Sequence, residues 1–253
     1  MQSFGGVKFS ANLGFLWTDR SLPDAIFAAK HAGFDAVECH WPKTSDLSAI
    51  KNALVETGLP LLGLNTTKGG AKDNGLAAIP GREAEACAAI DEAIAKADAL
   101  DAEAIHVMSG VAYGQPAEDT YLQNLAYATS KTDRMILIEP LNRHDAPGYF
   151  LHNTDQAADV ISKLNAPNLK LMFDCYHVGR TEGDVIASLT KYMPLIGHIQ
   201  FASVPDRGPP DKGDVNYREV FQIIEKLKWT RPLGAEYKPV GNTDDTLDWM
   251  QTL

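Results

Sequence analysis

The feature that most restricts the fold of this chain is a strict alternation of short apolar segments with amphipathic segments along its whole length. The apolar segments, which we predict to be strands, are 7–13, 36–40, 60–65, 104–109, 135–141, 169–175, 196–202 and 232–237. The amphipathic segments, which we predict to be helices, begin near Ser21 and then span about 46–57, 81–100, 116–131, 154–164, 181–192, 217–228 and 243–252. Strands that alternate regularly with helices pair in parallel, because each helical crossover returns the chain to the same end of the sheet.

Eight strand–helix units in 253 residues predict an α/β protein with a (β/α)8 or TIM barrel, a single domain that spans residues 1–253. A doubly wound open sheet is the alternative. No Gly-x-Gly-x-x-Gly pattern follows the first strand, however, where a dinucleotide-binding fold would need it. No linker, low-complexity tract or short repeat interrupts the alternation, which favours one domain.

Composition narrows the class of protein. The sequence has no apolar run of the roughly 18 residues that a membrane-spanning helix needs. Its first residues lack the charged and apolar regions of a secretory signal, so we expect a cytoplasmic protein. The net charge of −10, without a dense cluster of Lys and Arg, argues against a nucleic-acid partner. Cys39, Cys87 and Cys175 form no Cys-x-x-Cys pair and are expected to be free thiols.

Acidic and amide side chains occur at the ends of four consecutive predicted strands. Glu139 lies at the end of strand five, Asp174 in strand six, Gln200 in strand seven and Glu236 in strand eight. The functional face of a (β/α)8 barrel is the C-terminal rim of its strands, so these side chains should converge there. Converging carboxylates repel one another unless protons or a cation intervene. Oxygen ligands favour Mg²⁺ or Mn²⁺ over zinc, so we predict a divalent metal of this kind.

This arrangement suits one type of chemistry. One glutamate can remove a proton alpha to a carbonyl and a second can return a proton, while a metal stabilises the enediolate oxygens. Glu139 and Glu236 are the predicted acid–base pair, and Asp174 and Gln200 are predicted to act only as metal ligands.

Several stretches of the chain resemble the hydroxypyruvate isomerase family. They are FSANLGFLW near the start, IPGRE (79–83), LIEPLNRHDAPGYFL (137–151), MFDCYHVGRTEGD (172–184), IGHIQFASVPDRGPPDKGDVNY (196–217) and GAEYKP (234–239). That family belongs to the xylose isomerase-like barrel superfamily. The resemblance therefore implies a TIM barrel that catalyses a metal-assisted isomerisation of hydroxypyruvate to tartronate semialdehyde, or of a related 2-oxo-tetronate. It also implies metal ligands at Glu139, Asp174, Gln200 and Glu236, with Glu139 and Glu236 as the acid–base pair.

Two loops depart from the pattern of that family. After strand three the family usually has an Asn-Leu-Pro-Ala-Gly stretch ending in Asp-Trp, whereas this chain has NTTKGGAKDNG. After strand seven Ser203 replaces an aspartate of the family, and GPPDKGD replaces an acidic loop. The implied metal ligands are unchanged, so these departures bear on the substrate.

Two residues beyond the strand ends are candidates for substrate binding. His177, three residues after Asp174, is expected to hydrogen-bond a substrate oxygen, although a loop histidine bonded to backbone is the alternative. Arg207, in the loop after strand seven, suits a bidentate contact with a substrate carboxylate, and the alternative is an ordinary surface arginine.

Three further substrate-binding candidates are assigned from their positions. Lys238 follows Glu236 by two residues and should point to the same face of an extended chain. His106 on strand four and Asn65 on strand three are predicted to line the pocket, with satisfied polar groups of the barrel core as the alternative.

Other functions remain open at this level. A ketose 3-epimerase or sugar isomerase acting on a neutral sugar would share the metal and the glutamates without needing Arg207. A nuclease on the same barrel would need clustered metals and a basic face, and a non-catalytic binding protein would not need the glutamate pair. We expect a small oxo-hydroxy acid substrate and no membrane or nucleic-acid partner, and we leave assembly into a homo-oligomer open.

Overall fold

Eight short parallel strands form the centre of the structure, a computed structural model that describes residues 6–253. They are β1 (Phe9–Asn12), β2 (Ala36–Glu38), β3 (Gly63–Asn65), β4 (Ala104–His106), β5 (Met135–Ile138), β6 (Leu169–Asp174), β7 (Ile196–Phe201) and β8 (Leu233–Ala235). Each strand lies within the segment that predicts it. The strands are shorter than those segments by one to three residues in all, which lie outside the sheet at one or both ends of each segment.

The order of the strands is β2-β1-β8-β7-β6-β5-β4-β3. The two outer strands of this order are also connected, through a bridge between Val37 and Leu61. Leu62 N donates to Val37 O at 2.8 Å and Cys39 N donates to Gly63 O at 3.1 Å. The sheet therefore closes almost completely on itself, which confirms the predicted barrel and excludes the open doubly wound sheet. Residues 1–5 of the predicted domain lie outside the described residues.

Helices follow the strands as expected for this fold. Within residues 6–253 they are α1 (Leu22–His31), α2 (Leu47–Thr57), α3 (Glu83–Leu100), α4 (Gly114–Lys131), α5 (Thr154–Leu164), α6 (Cys175–Thr181), α7 (Val185–Tyr192), α8 (Tyr217–Lys226) and α9 (Trp249–Thr252). Ser21 caps α1 by accepting a hydrogen bond from Asp24 N, and Gly58 ends α2 in the left-handed conformation. In α8 the buried residues Tyr217, Val220, Phe221 and Ile224 share one helical face.

The prediction of one helix over 181–192 is wrong. α6 already begins at Cys175, directly after β6, because the side chain of Asp174 caps it by accepting from Tyr176 N at 2.9 Å. Gly183, with φ at 86°, then ends the first helical segment, and Asp184 caps α7. The early start of α6 matters for function because it places His177 on a helix beside Asp174.

The prediction of one helix over 243–252 is also wrong. A 3-10 helix covers Thr243–Thr246, and only the single turn of α9 follows it. The Tyr237 hydroxyl donates to Thr246 O at 3.1 Å, so that carbonyl does not accept a helical bond from Met250 N, which bonds Leu247 O instead. Trp249 fixes this segment by packing edge-on against Phe9 and Phe201, with ring centroids 5.0 and 5.3 Å apart.

Two expectations from composition can be compared with the structure. Cys39, Cys87 and Cys175 are all free, and Cys39 and Cys175 are buried. Across residues 6–253 no helix has the length and apolar character required to cross a bilayer.

Candidate active site

The strand ends bring the four predicted residues to one corner of the rim. Asp174 is paired with Gln200 across β6 and β7, and Gln200 is paired with Gly234 on β8. Glu236 directly follows β8, and Glu139 directly follows β5. All four side chains are buried, so the corner is an internal polar cluster at the mouth of the barrel.

Glu139 is the least compensated carboxylate of this cluster. Its Oε1 is buried and has no hydrogen-bond partner among the described residues. Its nearest potential cations are histidines, with His177 Nε2 at 3.7 Å from Oε1 and His106 Nδ1 at 3.6 Å from Oε2. Burial raises the pKa of Glu139 well above its ordinary value, and the charges of Glu236 and Asp174 raise it further.

The two carboxylate oxygens of Asp174 differ in their hydrogen bonds. Oδ1 accepts the bond from Tyr176 N that caps α6, whereas Oδ2 is buried without a hydrogen-bond partner in residues 6–253. Burial raises the pKa of the Asp174 carboxyl to about 7, although the positive charge of Arg207 acts in the opposite direction. The helix cap thus orients the second oxygen toward the cluster.

Glu236 differs because both of its oxygens have partners. Oε1 accepts from Asn12 Nδ2 at 2.8 Å and lies 3.4 Å from His40 Nε2. Oε2 accepts a hydrogen bond from the Arg207 guanidinium. Burial would raise the pKa of Glu236, but Arg207 and His40 outweigh this effect and lower it to about 2. Glu236 is therefore ionised.

Gln200 is oriented by Glu38, which His198 also contacts, and the sequence analysis missed both residues. Gln200 Nε2 donates to Glu38 Oε2 at 3.1 Å, and His198 Nε2 lies 2.8 Å from the same oxygen. Gln200 Oε1 is left without a hydrogen-bond partner among the described residues. The available signal was a carboxylate in the apolar segment of predicted strand two, where Glu38 lies near the C-terminal end.

His177 is neutral, and its tautomer follows from its contacts. Burial lowers its pKa to about 3, and Arg207 adds to this effect. His177 Nδ1 accepts from Asn142 N at 3.0 Å and lies 2.7 Å from Asn142 Nδ2. The other amide atom of Asn142, Oδ1, accepts from His144 N. A neutral imidazole that accepts at Nδ1 carries its hydrogen on Nε2. That N–H faces Glu139 and Asp174, so His177 is a hydrogen-bond donor at this corner.

Three further predicted pocket residues have different surroundings. His106 is buried, and burial lowers its pKa to about 4, which makes it neutral beside Glu139. Asn65 lines the same cavity as His106. Lys238 is exposed and is not among the residues that line the cavity, so its substrate-binding role stays a prediction.

Arg207 is nearly buried, which differs from an ordinary surface arginine. Its guanidinium pairs with Glu236 and lies 3.5 Å from Asp174 Oδ2. The rings of Phe15 and Tyr176 flank it at 4.6 and 4.9 Å. The guanidinium is therefore already close to carboxylates of the protein itself.

The two glutamates share one cavity of about 190 Å³. Glu139 reaches it from β5 and Glu236 from β8, three strands farther around the barrel. His106, His177 and Arg207 also line it. The predicted acid–base pair therefore faces a single small internal space.

The donor atoms at this corner fit a hard divalent cation. Glu139, Asp174 and His177 offer potential ligand atoms that all lie within 4.8 Å of one another. Two of these, Glu139 Oε1 and Asp174 Oδ2, are buried oxygens without hydrogen-bond partners in residues 6–253, as is Gln200 Oε1. Unpaired buried oxygens of carboxylate and amide groups are the ligands that Mg²⁺ and Mn²⁺ prefer. The site is therefore a candidate metal centre.

Comparison with known proteins identifies the family of this barrel. The xylose isomerase-like TIM barrel family matches residues 26–253. The chain is 37% identical to the 2-oxo-tetronate isomerase of Cupriavidus necator, over 96% of this chain and 97% of that protein. It is 36% identical to the hydroxypyruvate isomerase of Escherichia coli, over 96% of this chain and 98% of that protein.

A solved structure extends the similarity to the whole barrel. A Brucella melitensis protein described as an AP endonuclease of family 2 is 33% identical, with a TM-score of 0.93 and coverage of 97% of this chain and 98% of that chain. The chain thus belongs to the hydroxypyruvate isomerase and 2-oxo-tetronate isomerase family of xylose isomerase-like TIM barrels.

Proposed function

We propose that this protein is an isomerase that interconverts hydroxypyruvate and tartronate semialdehyde, or a closely related small oxo-hydroxy acid such as a 2-oxo-tetronate. The observation that carries this proposal is the pair of buried glutamates, Glu139 and Glu236, that lines one cavity of about 190 Å³. Pockets for drug-sized ligands are larger, roughly 300–1,000 Å³, so this cavity suits a substrate of three or four carbons. The names of the curated relatives support the same substrate class.

A divalent cation, Mg²⁺ or Mn²⁺, is part of the proposal, and Glu139, Asp174, Gln200 and Glu236 would hold it through oxygen atoms. When bound, such a cation stabilises the negative charge that develops on the oxygens of an enediolate. His177 is not included as a ligand, because its contacts with Asn142 leave the hydrogen on Nε2.

The proton transfers are assigned to the two glutamates. From hydroxypyruvate, one glutamate removes a proton from C3, the hydroxymethyl carbon beside the ketone, and the other adds a proton to C2. The hydrogen of the C3 hydroxyl is transferred to the C2 oxygen, so C3 becomes the aldehyde of tartronate semialdehyde without a net gain or loss of atoms. His177 Nε2–H, beside Glu139, donates to a substrate oxygen during these steps.

The test is turnover of hydroxypyruvate in D2O by the Mn²⁺-loaded protein, followed by NMR. We expect deuterium at C2 of tartronate semialdehyde, because a proton that passes through a carboxylate exchanges with solvent. Glu139→Gln and Glu236→Gln should each lower kcat/KM by about 10³-fold. Glu56→Gln, on the exposed surface of α2, is the matched control and should leave it unchanged. Activity that survives both active-site substitutions would exclude the two-glutamate mechanism.

A neutral ketose is the second candidate substrate, and the position of Arg207 favours it. The guanidinium already contacts Glu236 and lies 3.5 Å from Asp174 Oδ2, so it is not free to bind a substrate carboxylate. An epimerase or isomerase of neutral sugars needs no such cation. Comparison of kcat/KM for hydroxypyruvate with that for its neutral analogue 1,3-dihydroxyacetone separates the two candidates.

Nuclease activity, which the description of the Brucella melitensis protein suggests, is not proposed for this chain. The net charge of −10 opposes approach of a phosphate backbone. The glutamates face a cavity of about 190 Å³, which cannot take up a nucleic-acid strand.

A further inference from the structure

We propose that Lys68 binds the substrate carboxylate and thereby sets the preference for oxo acids over neutral ketoses. This inference rests on the proposed function and adds a specificity residue that the sequence did not reveal. It starts from the cationic groups around the cavity. The Lys and Arg side chains that line it are Lys68 and Arg207, and only one of these two is uncommitted.

Arg207 is held by the protein's own acidic groups. Besides Glu236 and Asp174, its guanidinium lies 3.9 Å from Asp145 Oδ2. Moving Arg207 toward a substrate carboxylate would leave the buried Glu236 without its strongest partner. Such an unpaired buried charge is strongly unfavourable.

The histidines of the cavity are also directed at groups of the protein itself. His177 Nδ1 accepts from Asn142 N at 3.0 Å, and His106 Nδ1 lies 3.6 Å from Glu139 Oε2. His40 lies 3.4 Å from Glu236 Oε1 and is directed at that carboxylate. A substrate anion therefore needs another partner.

Lys68 meets this need. In residues 6–253 the lysines that form ion pairs are Lys96, Lys163 and Lys191, so the ammonium of Lys68 has no carboxylate partner there. Lys68 is exposed at the cavity mouth, where its long stem can turn inward. A cation at the mouth and the glutamates deeper inside would orient an oxo acid with its reacting carbons toward Glu139 and Glu236.

The loop that carries Lys68 is held firmly at the rim. Lys68 O accepts from Gly75 N at 2.8 Å, and Gly75 also forms a bridge with Ser109 just beyond β4. Asp73 tightens the same loop by accepting from Gly70 N at 2.7 Å and from Arg82 Nη1 at 2.5 Å. The backbone position of Lys68 is thus fixed relative to the cavity, and its side chain is exposed.

The charge balance of the cavity favours the same assignment. Its ionisable acidic lining comprises Glu139, Asp145 and Glu236, against Lys68 and Arg207. A monoanionic substrate that enters such a cavity is repelled unless a nearby cation offsets the acidic groups. Lys68 also lies in NTTKGGAKDNG, the loop that departs from the pattern expected for the family.

The experiment compares Lys68→Met with Lys72→Met. Lys72 is exposed on the same loop but does not line the cavity, which makes it a matched control. We expect Lys68→Met to raise KM for hydroxypyruvate and to lower the ratio of kcat/KM for hydroxypyruvate to that for 1,3-dihydroxyacetone by about tenfold. Lys68→Arg should restore most of the ratio, and Lys72→Met should leave it unchanged. An unchanged ratio in Lys68→Met, or an equal fall for both substrates, overturns the proposal.

A binding measurement separates this inference from the proposed function. Tartronate, an unreactive carboxylate analogue, is titrated calorimetrically into the Mn²⁺-loaded wild type and Lys68→Met proteins. Weaker binding by about tenfold in Lys68→Met supports the anion site even if wild type turns over no oxo acid, which would refute only the isomerase function. Equal binding, with wild-type turnover of hydroxypyruvate intact, refutes the role of Lys68 alone.

Discussion

Glu139 and Glu236 line the same cavity, yet their surroundings are opposite. On the β5 side, Glu139 faces two neutral histidines and has a buried oxygen without a hydrogen-bond partner among the described residues. On the β8 side, Glu236 accepts from Asn12 and Arg207 and approaches His40. The β8 carboxylate is thus stabilised as an anion by the protein itself, whereas the β5 carboxylate has no comparable partner among the described residues. Both features follow from where the chain places one arginine.

The sharpest test of this difference is the stability of the metal-free protein. Glu236→Gln leaves Arg207 without its shortest ion pair, and breaking a buried pair typically lowers the free energy of unfolding by about 3–5 kcal/mol. Glu139→Gln removes a carboxylate whose pKa is raised by burial and by neighbouring negative charges. We expect it to be neutral, or to stabilise the fold by about 1 kcal/mol. Urea unfolding in EDTA at pH 8 measures both.

The pH dependence gives this comparison a control. Glu139 has a raised pKa when folded, so its favourable contribution is present below its unfolded pKa and is lost as the pH rises. Glu236 has a pKa lowered to about 2, so its contribution is present above the ordinary value of 4.5 and is lost as the pH falls toward 2. The advantage of Glu139→Gln should therefore grow toward pH 8. Equal losses of stability in both variants would contradict the asymmetry.

Metal addition is expected to have the next largest effect. If Mn²⁺ neutralises the β5 side, a hundredfold excess over its Kd should stabilise the EDTA-treated protein by about 2.7 kcal/mol. For a protein of this size that corresponds to a rise in Tm of about 5–10 °C. Glu139→Gln should remove most of the rise, and Glu56→Gln should retain it. A shift of the same size in Glu139→Gln would place the ion elsewhere.

The same comparison shows how far the sequence predicts the site. The sequence correctly places Glu139 and Glu236 at the rim, because the β/α alternation alone determines which residues lie there. The sequence could not predict that Arg207 pairs with Glu236 rather than remaining free. That contact depends on how the loop after β7 folds back, with Lys238 N donating to Arg207 O at 2.7 Å. Loop conformations of this kind lack a periodic sequence signal.

The fold itself was predicted more completely, since eight apolar segments and the helices between them are periodic patterns. The errors lie where a single side chain overrides periodicity. Asp174 starts α6 within a segment that was predicted to be a loop, and Tyr237 interrupts the segment over 243–252. Glu38 was missed for a related reason, because its role depends on a contact across the barrel with Gln200.

Glu38 on β2 provides a third prediction, which extends the comparison to Gln200 on β7, one of the two strands between β5 and β8. Its Oε2 accepts from Gln200 Nε2 at 3.1 Å, and this leaves Gln200 Oε1 available as a ligand. Glu38→Met removes the acceptor and should weaken Mn²⁺ binding by about tenfold, in the lower part of the range for residues that orient metal ligands. Glu38→Gln keeps an acceptor oxygen and should retain most of the affinity. Calorimetry on the two variants measures this, and equal affinities would show that Gln200 needs no orienting partner.

The smallest expected effect concerns Lys238, which tests whether the cation of the β8 side is Arg207 alone. The sequence places Lys238 two residues after Glu236, but the side chain is exposed and lies outside the cavity lining. Lys238→Met should change kcat/KM for hydroxypyruvate by less than about twofold, because exposed charges contribute little and the backbone bond from Lys238 N to Arg207 O is retained. A loss of about tenfold that Lys238→Arg restores would mean that Lys238 reaches the substrate. The β8 side would then present a second cation to the substrate, and its contrast with the β5 side would not depend on Arg207 alone.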